Sequence, residues 1–152
     1  MIRSVLPSLL CFTWLAGCAT PHHTQVDYLN SGTVLPKGLP FSEAVRVDNT
    51  LYLSGMVGIK PGKIELVSGG IEAESHQTMK NIQMMLEAHG AAMDDVVKCT
   101  VMLADIAEWS TFNQVYETYF EDRFPARSAL GANGLALGAR VEVECTAVIG
   151  NH

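Results

Sequence analysis

The amino-acid sequence predicts one α+β domain, with two helices on one face of a mixed sheet in the order β-β-β-α-β-α-β-β. Three observations predict it. Residues 72–89 and 108–120 repeat apolar side chains at three- and four-residue steps, the period of a half-buried helix. Residues 96–103 and 140–148 alternate apolar and polar side chains, the period of a strand with two unlike faces. Two helices are too few to cover both faces of one sheet, so the second face is left to water or to other subunits. A chain of 152 residues suits a single domain of this size.

The first eighteen residues read as a separate unit. Met1-Ile2-Arg3 gives a positive start, 4–15 is apolar, and Leu15-Ala16-Gly17-Cys18 follows. Small residues before a cut and a Cys after it are the pattern of bacterial lipoprotein signals, a special case of the secretory pattern. Pro7 disfavours a buried helix here; a plain secretory cut after Ala16 or Ala19 is the nearer competitor. The expectation is a signal peptide over 1–18 and a lipid on Cys18, the only membrane contact. That places the protein at the periplasmic face of a bacterial membrane. Ala19 and Thr20 carry no Asp retention signal, which points to the outer rather than the inner membrane. Residues 19–35 read as a flexible tether and 36–152 as the domain.

Within the domain, 44–47 and 50–55 read as strands around a tight Asp48-Asn49 turn. Residues 58–70 hold Pro61-Gly62 and leave room for a short strand around 63–67. In the first helix Ile71, Met79, Ile82, Met85, Leu86 and His89 fall at three- and four-residue steps; it starts on Glu72 and Glu74 and stops at Gly90. Its methionines are core packing. In the second, Trp109, Phe112, Val115, Tyr116, Tyr119 and Phe120 share a face. A loop to Pro125, a short strand from Arg127, a connection with Gly131, Gly134 and Gly138, and the last strand complete the chain.

Hydrophobic residues at 48% and charged residues at 17% exclude a disordered chain. No apolar run after residue 20 is long enough to span a bilayer. The net charge of −6 becomes about −7 without Arg3, and the basic residues are scattered singly. Such a chain repels phosphate backbones, so no nucleic-acid partner is expected. Cys11 would leave with the signal. Cys99 and Cys145 lack metal-ligand spacing; a disulfide is permitted in an oxidising compartment, but two unpaired core residues are expected. His22, His23, His76, His89 and His152 are not arranged as ligands and read as solvated or half-packed. A serine elbow, a phosphate loop, Cys-x-x-Cys and a zinc signature are all missing, so neither metal nor cofactor is expected.

Two places could carry chemistry. In Pro125-Ala126-Arg127-Ser128, a rigid Pro aims an Arg whose fork suits a carboxylate or phosphate; a surface ion pair is an equal reading. In the last strand, Arg140, Glu142, Glu144 and Thr146 share one face, opposite Val141, Val143, Cys145 and Ala147. If other subunits bury that face, Glu142 becomes a candidate to hold a water.

At this point the sequence resembles a family. Phe41-Ser42-Glu43-Ala44, Leu53-Ser54-Gly55, Asn81-Ile82, Asp95-Val96-Val97-Lys98, Asn113-Gln114-Val115-Tyr116, Tyr119-Phe120, Pro125-Ala126-Arg127-Ser128 and Val141-Glu142-Val143-Glu144 are similar to the RidA/YjgF enamine/imine deaminases, in order and spacing. The resemblance covers about 38–148. It implies a fold like chorismate mutase of the bacillus type, assembled as a homotrimer with ligand clefts between subunits. It implies that Arg127 grips a substrate carboxylate and Glu142 holds a water. Phe41, Ser54 and Gly55 would line the cleft, Asn113 would support it, and Ala129 would act through its backbone carbonyl. Phe41, Met56 and Ala129 depart from the frequent Tyr, Gln and Cys.

The implied reaction is hydrolysis of small 2-imino or enamine acids, such as 2-iminopropanoate and 2-iminobutanoate, to a 2-keto acid and ammonia. A non-catalytic small-carboxylate binding module using the same cleft, an RNA endonuclease-like activity and a purely structural trimer are the alternatives.

Overall fold

The computed structural model describes residues 23–150; the expected signal peptide and Cys18 lie outside the described residues. The sheet opens on an edge strand, β1 (Val26–Leu29), paired antiparallel with β2 (Ala44–Val47). The tether expected over 19–35 therefore holds a strand, because 26–29 satisfies its backbone groups on the edge of β2. From β2 the chain turns at Asp48-Asn49 into β3 (Thr50–Leu53), and Asp48 takes the left-handed φ of 52° that the tight turn needs.

The third strand lies elsewhere than expected. It is β4 (Met56–Val57), while 63–67 contributes only an isolated bridge between Ile59 and Leu66. The reason is the turn at Pro61-Gly62. Lys60 bonds Glu65 through its backbone at 2.9 Å and accepts from Lys63 at 3.0 Å, which leaves no length for a ladder.

Helix α1 (Gly70–Ala88) packs the fully buried Met79, Ile82, Met85 and Leu86 onto the sheet. It closes at Gly90, whose φ is 77°. His89, expected to be solvated or half-packed, is half-packed: the residue is partly exposed while its side chain is tucked in, with Nε2 3.0 Å from Oε1 of the buried Glu43. Helical periodicity shows that a residue faces inward but not which polar group waits there.

After β5 (Val96–Leu103), helix α2 is regular only over Trp109–Tyr116, with single 3₁₀ turns at Ile106–Glu108 and Glu117–Tyr119. Then come β6 (Ala126–Gly131) and β7 (Val141–Val148). The sheet order is β1-β2-β3-β7-β5-β6, with β4 also on β7. Only β5 and β6 run parallel, so the sheet is mixed, as expected. Val141, Val143, Cys145 and Ala147 of β7 are buried under the helices, and Glu142, Glu144 and Thr146 face the uncovered side.

Two sequence expectations fail on β7. Cys99 and Cys145 were expected to be unpaired, but they face each other across β5 and β7 and form a disulfide, with Cα atoms 4.2 Å apart. Both side chains point to the same face, and register, which alternation leaves open, makes them direct neighbours. Arg140 does not share the face of Glu142. The strand begins one residue later, and the Arg140 guanidinium grips both oxygens of Glu108 instead.

Candidate active site

Register places the two chemical candidates on opposite faces. Arg127 of β6 faces Cys99, whose side chain lies in the core under the helices. Glu142 of β7 faces Met102 of β5, in a row with Leu130 on the uncovered side. One copy of the chain thus holds two separate half-sites.

The Arg127 half is built by α2. Arg127 donates from Nη2 to Asn113 Oδ1 at 2.7 Å. Its guanidinium lies 4.5 Å from the centre of the Tyr116 ring and 5.9 Å from that of Trp109, within cation–π range. Asn113 and Tyr116 stand three apart on one helix, so they face the same way. Among the described residues Arg127 makes no salt bridge, so the ion-pair reading of this Arg fails. The guanidinium borders a cleft of about 270 Å³ with Phe124 and Pro125, and a second opening of about 410 Å³ with Ile106 and Ala129. Burial, offset in part by the Arg127 charge, pushes the Tyr116 hydroxyl up to about 12, so it stays protonated. The sequence places Tyr116 and Trp109 on the apolar face of the second helix and gives them no role at the site; the spacing from Asn113 to Tyr116 is the signal that points to one.

The Glu142 half is built by close backbone approach. A Cβ on Gly55 would stand 2.1 Å from Glu142 Oε1, so only glycine leaves room for this carboxylate. Ser54 fixes that segment: its Oγ donates to the Ser42 carbonyl at 2.7 Å and its N–H to the Glu43 carbonyl at 3.0 Å. This holds Phe41 over the same cavity, whose volume is about 310 Å³ and which Leu137 also borders. Asn81 of α1 donates to the carbonyls of Val57 and Ile59 at 3.2 and 2.8 Å and fixes the cavity floor. Burial first, and the Glu144 charge second, raise the Glu142 carboxyl above its ordinary value of 4.5. The structure therefore groups Phe41, Ser54, Gly55 and Glu142, and separately Asn113, Arg127 and Ala129. It does not bring the two groups together in one copy.

The profile of a family described as endoribonuclease L-PSP matches residues 35–149. The chain is 45% identical over 111 residues to a human protein named 2-iminobutanoate/2-iminopropanoate deaminase, covering 73% of this chain and 81% of that one. A mouse protein of the same name is 46% identical over 111 residues, 73% of this chain and 82% of that one. A solved structure of RidA from the Antarctic bacterium Psychrobacter superposes with a TM-score of 0.76 at 32% identity, covering 81% of this chain and 99% of that one.

These matches overturn the periplasmic placement expected from the N-terminus. The human and mouse relatives come from cells that have no periplasm, and the matched stretch starts past the segment that suggested export.

Proposed function

The chain belongs to the endoribonuclease L-PSP family, which includes the RidA/YjgF proteins, and from that premise we propose that it hydrolyses small reactive 2-imino acids. The products are a 2-keto acid and ammonia. Residues 36–152 are the catalytic unit. The observation that carries the reading is Arg127: a cation held by neutral groups, with no acidic partner among the described residues, at the edge of a cleft. Such a group is matched to an incoming carboxylate.

The two half-sites meet between copies of the chain in a homotrimer. The uncovered sheet face supports this, since it presents Tyr28, Tyr52 and Leu130 at 73, 51 and 46% exposure. Arg127 of one copy grips the substrate carboxylate, and the Ala129 carbonyl accepts from the protonated imine nitrogen. Glu142 of a second copy holds a water against the C=N carbon. As the water oxygen bonds to that carbon, its proton passes to Glu142 and a carbinolamine forms. Glu142 returns the proton to the nitrogen, then takes the hydroxyl proton of the carbinolamine as the C–N bond breaks, so that ammonia leaves as the carbonyl forms. A carboxyl raised by burial is suited to both transfers. Orientation carries much of the acceleration, because the hydrolysis is intrinsically fast.

Cleavage of RNA, which the family description carries, is disfavoured by the net charge of −6 and the lack of a basic cluster. The test is a coupled assay in which an amino acid oxidase generates 2-iminopropanoate and its decay is followed. The parent protein speeds decay. Arg127→Ala loses two charge-assisted bonds of about 1.5–3 kcal/mol each, on the order of a hundredfold or more in kcat/KM. Arg127→Lys, with charge but no fork, stays badly impaired. Full activity in Arg127→Ala would replace this reading with that of a binding module. Light scattering tests the trimer.

A further inference from the structure

Outside both half-sites lies a buried pair of ionisable side chains. Glu43, just before β2, is 1% exposed, and the side chain of His89, at the end of α1, is 7% exposed. His89 Nε2 lies 3.0 Å from Glu43 Oε1, which also accepts from Ser31 Oγ at 2.7 Å. The second carboxyl oxygen is buried and has no partner among the described residues. A carboxyl group shielded from water depends on the donors it has, here one hydroxyl and one imidazole. Such a pair adds little stability over apolar side chains of the same volume, yet losing one partner is costly. Stability alone does not account for its presence.

Its position in the fold does. The β2–β3 ladder ends at Ala44 and Leu53. Beyond it, the Glu43 carbonyl accepts from the Ser54 N–H at 3.0 Å and the Ser42 carbonyl from Ser54 Oγ at 2.7 Å. Gly55 comes next, so close to Glu142 that a Cβ there would stand 2.1 Å from Oε1. Glu43 itself is fixed from other elements: Asn30 Oδ1 takes its N–H at 3.0 Å, and Ser31 and His89 hold its carboxyl group. Arg46 donates from Nη2 to the His89 carbonyl and ties the end of α1 to β2. A change at His89 therefore reaches Glu142 through Glu43, Ser54 and Gly55, in contact at every step.

We infer that Glu43 and His89 are positioning residues for the Glu142 half-site: their contact fixes the Ser54–Gly55 wall, and with it the direction of the Glu142 carboxyl group, without touching substrate. This rests on the deaminase reading, since its effect is on imine turnover. Glu142 acts on water, so a loosened wall should lower kcat and leave KM nearly unchanged. Misplacing a reacting group by about 1 Å costs on the order of a hundredfold, and a wall that is loosened but still packed should cost about tenfold.

The test measures kcat and KM of the full chain and its variants on the imine generated in situ from alanine, with a denaturant melt of each. His89→Leu keeps the bulk and removes the donor; kcat should fall about tenfold while KM stays within about twofold. His89→Gln puts an amide N–H near the place of Nε2 and should recover most of kcat. Glu43→Leu combined with His89→Leu removes the buried polar group, so stability should return to the parent's or exceed it. Its kcat should stay low, because the side-chain bonds that fix the segment are gone. This double variant keeps the inference open to test should His89→Leu fold poorly. If the double variant regains kcat together with stability, the pair only holds the fold and the inference fails. It fails equally if His89→Leu keeps the parent's kcat, or if His89→Gln is as slow as His89→Leu. If the parent itself does not speed imine decay, the deaminase reading fails and the positioning role falls with it.

Discussion

The Arg127 and Glu142 half-sites lie on opposite faces of one sheet and are secured by opposite means. Arg127 is held by what surrounds it: an amide oxygen at 2.7 Å and two aromatic rings, all from α2. Glu142 is held by what is left out, since Gly55 has no side chain to displace it. The cation is anchored by neutral groups, which orient it without neutralising it. The acid is left partly desolvated, which raises its affinity for a proton. One half is suited to grip a fixed charge and the other to pass a proton, and the two do not meet in a single copy.

Mixing variants is the strongest way to break this comparison. Arg127→Ala and Glu142→Gln should each be reduced on the order of a hundredfold or more. Dissociated, combined in equal amounts and reassembled, they should recover activity in roughly a quarter of the sites, because each site then draws its Arg and its Glu independently. No recovery in mixed trimers would place both groups in one copy.

Glu142→Gln alone sharpens the comparison. It should lower kcat more than it raises KM, because the side chain acts on water rather than on the carboxylate. In the parent, kcat/KM should fall as pH drops through the raised carboxyl value, and Gln should flatten that limb. The stability effect has its own sign. The folded state binds this proton more tightly than the unfolded chain, so ionisation of Glu142 opposes folding above the raised value. Gln should therefore raise the melting temperature at pH 7, and the gain should disappear as the pH falls below 4.5.

The Cys99–Cys145 disulfide joins β5 to β7, the strand that carries Glu142. Replacing both Cys with Ala should cost about 2–5 kcal/mol of stability, read from denaturant melts without reductant. Imine turnover per folded molecule should change little, because each half-site keeps its own supports. A large loss of turnover would mean that the bond also sets the spacing between them. The smallest effect is expected from Asn113→Ala. Arg127 keeps the Tyr116 ring and loses one charge-assisted bond, so KM should rise about tenfold with a lesser change in kcat.

Most of the secondary structure was legible because it depends on neighbours in sequence. The stripe Met79, Ile82, Met85 and Leu86 and the alternation Val141, Val143, Cys145 and Ala147 each state a period and a buried face. The Asp48-Asn49 turn follows from local backbone preference. Arg127 and Glu142 stood out locally, one after a rigid Pro and one on a polar strand face, and the roles proposed for them came from the family pattern. Their separation was not legible, because it depends on which residue of β6 faces which residue of β5 and β7. The same gap concealed the disulfide, the contact of His89 with Glu43 and the partner of Arg140. By itself the sequence determined which residues turn inward, because period and polarity are properties of the chain. Only the tertiary structure decided which of them meet, because register and packing are set between segments far apart in the chain.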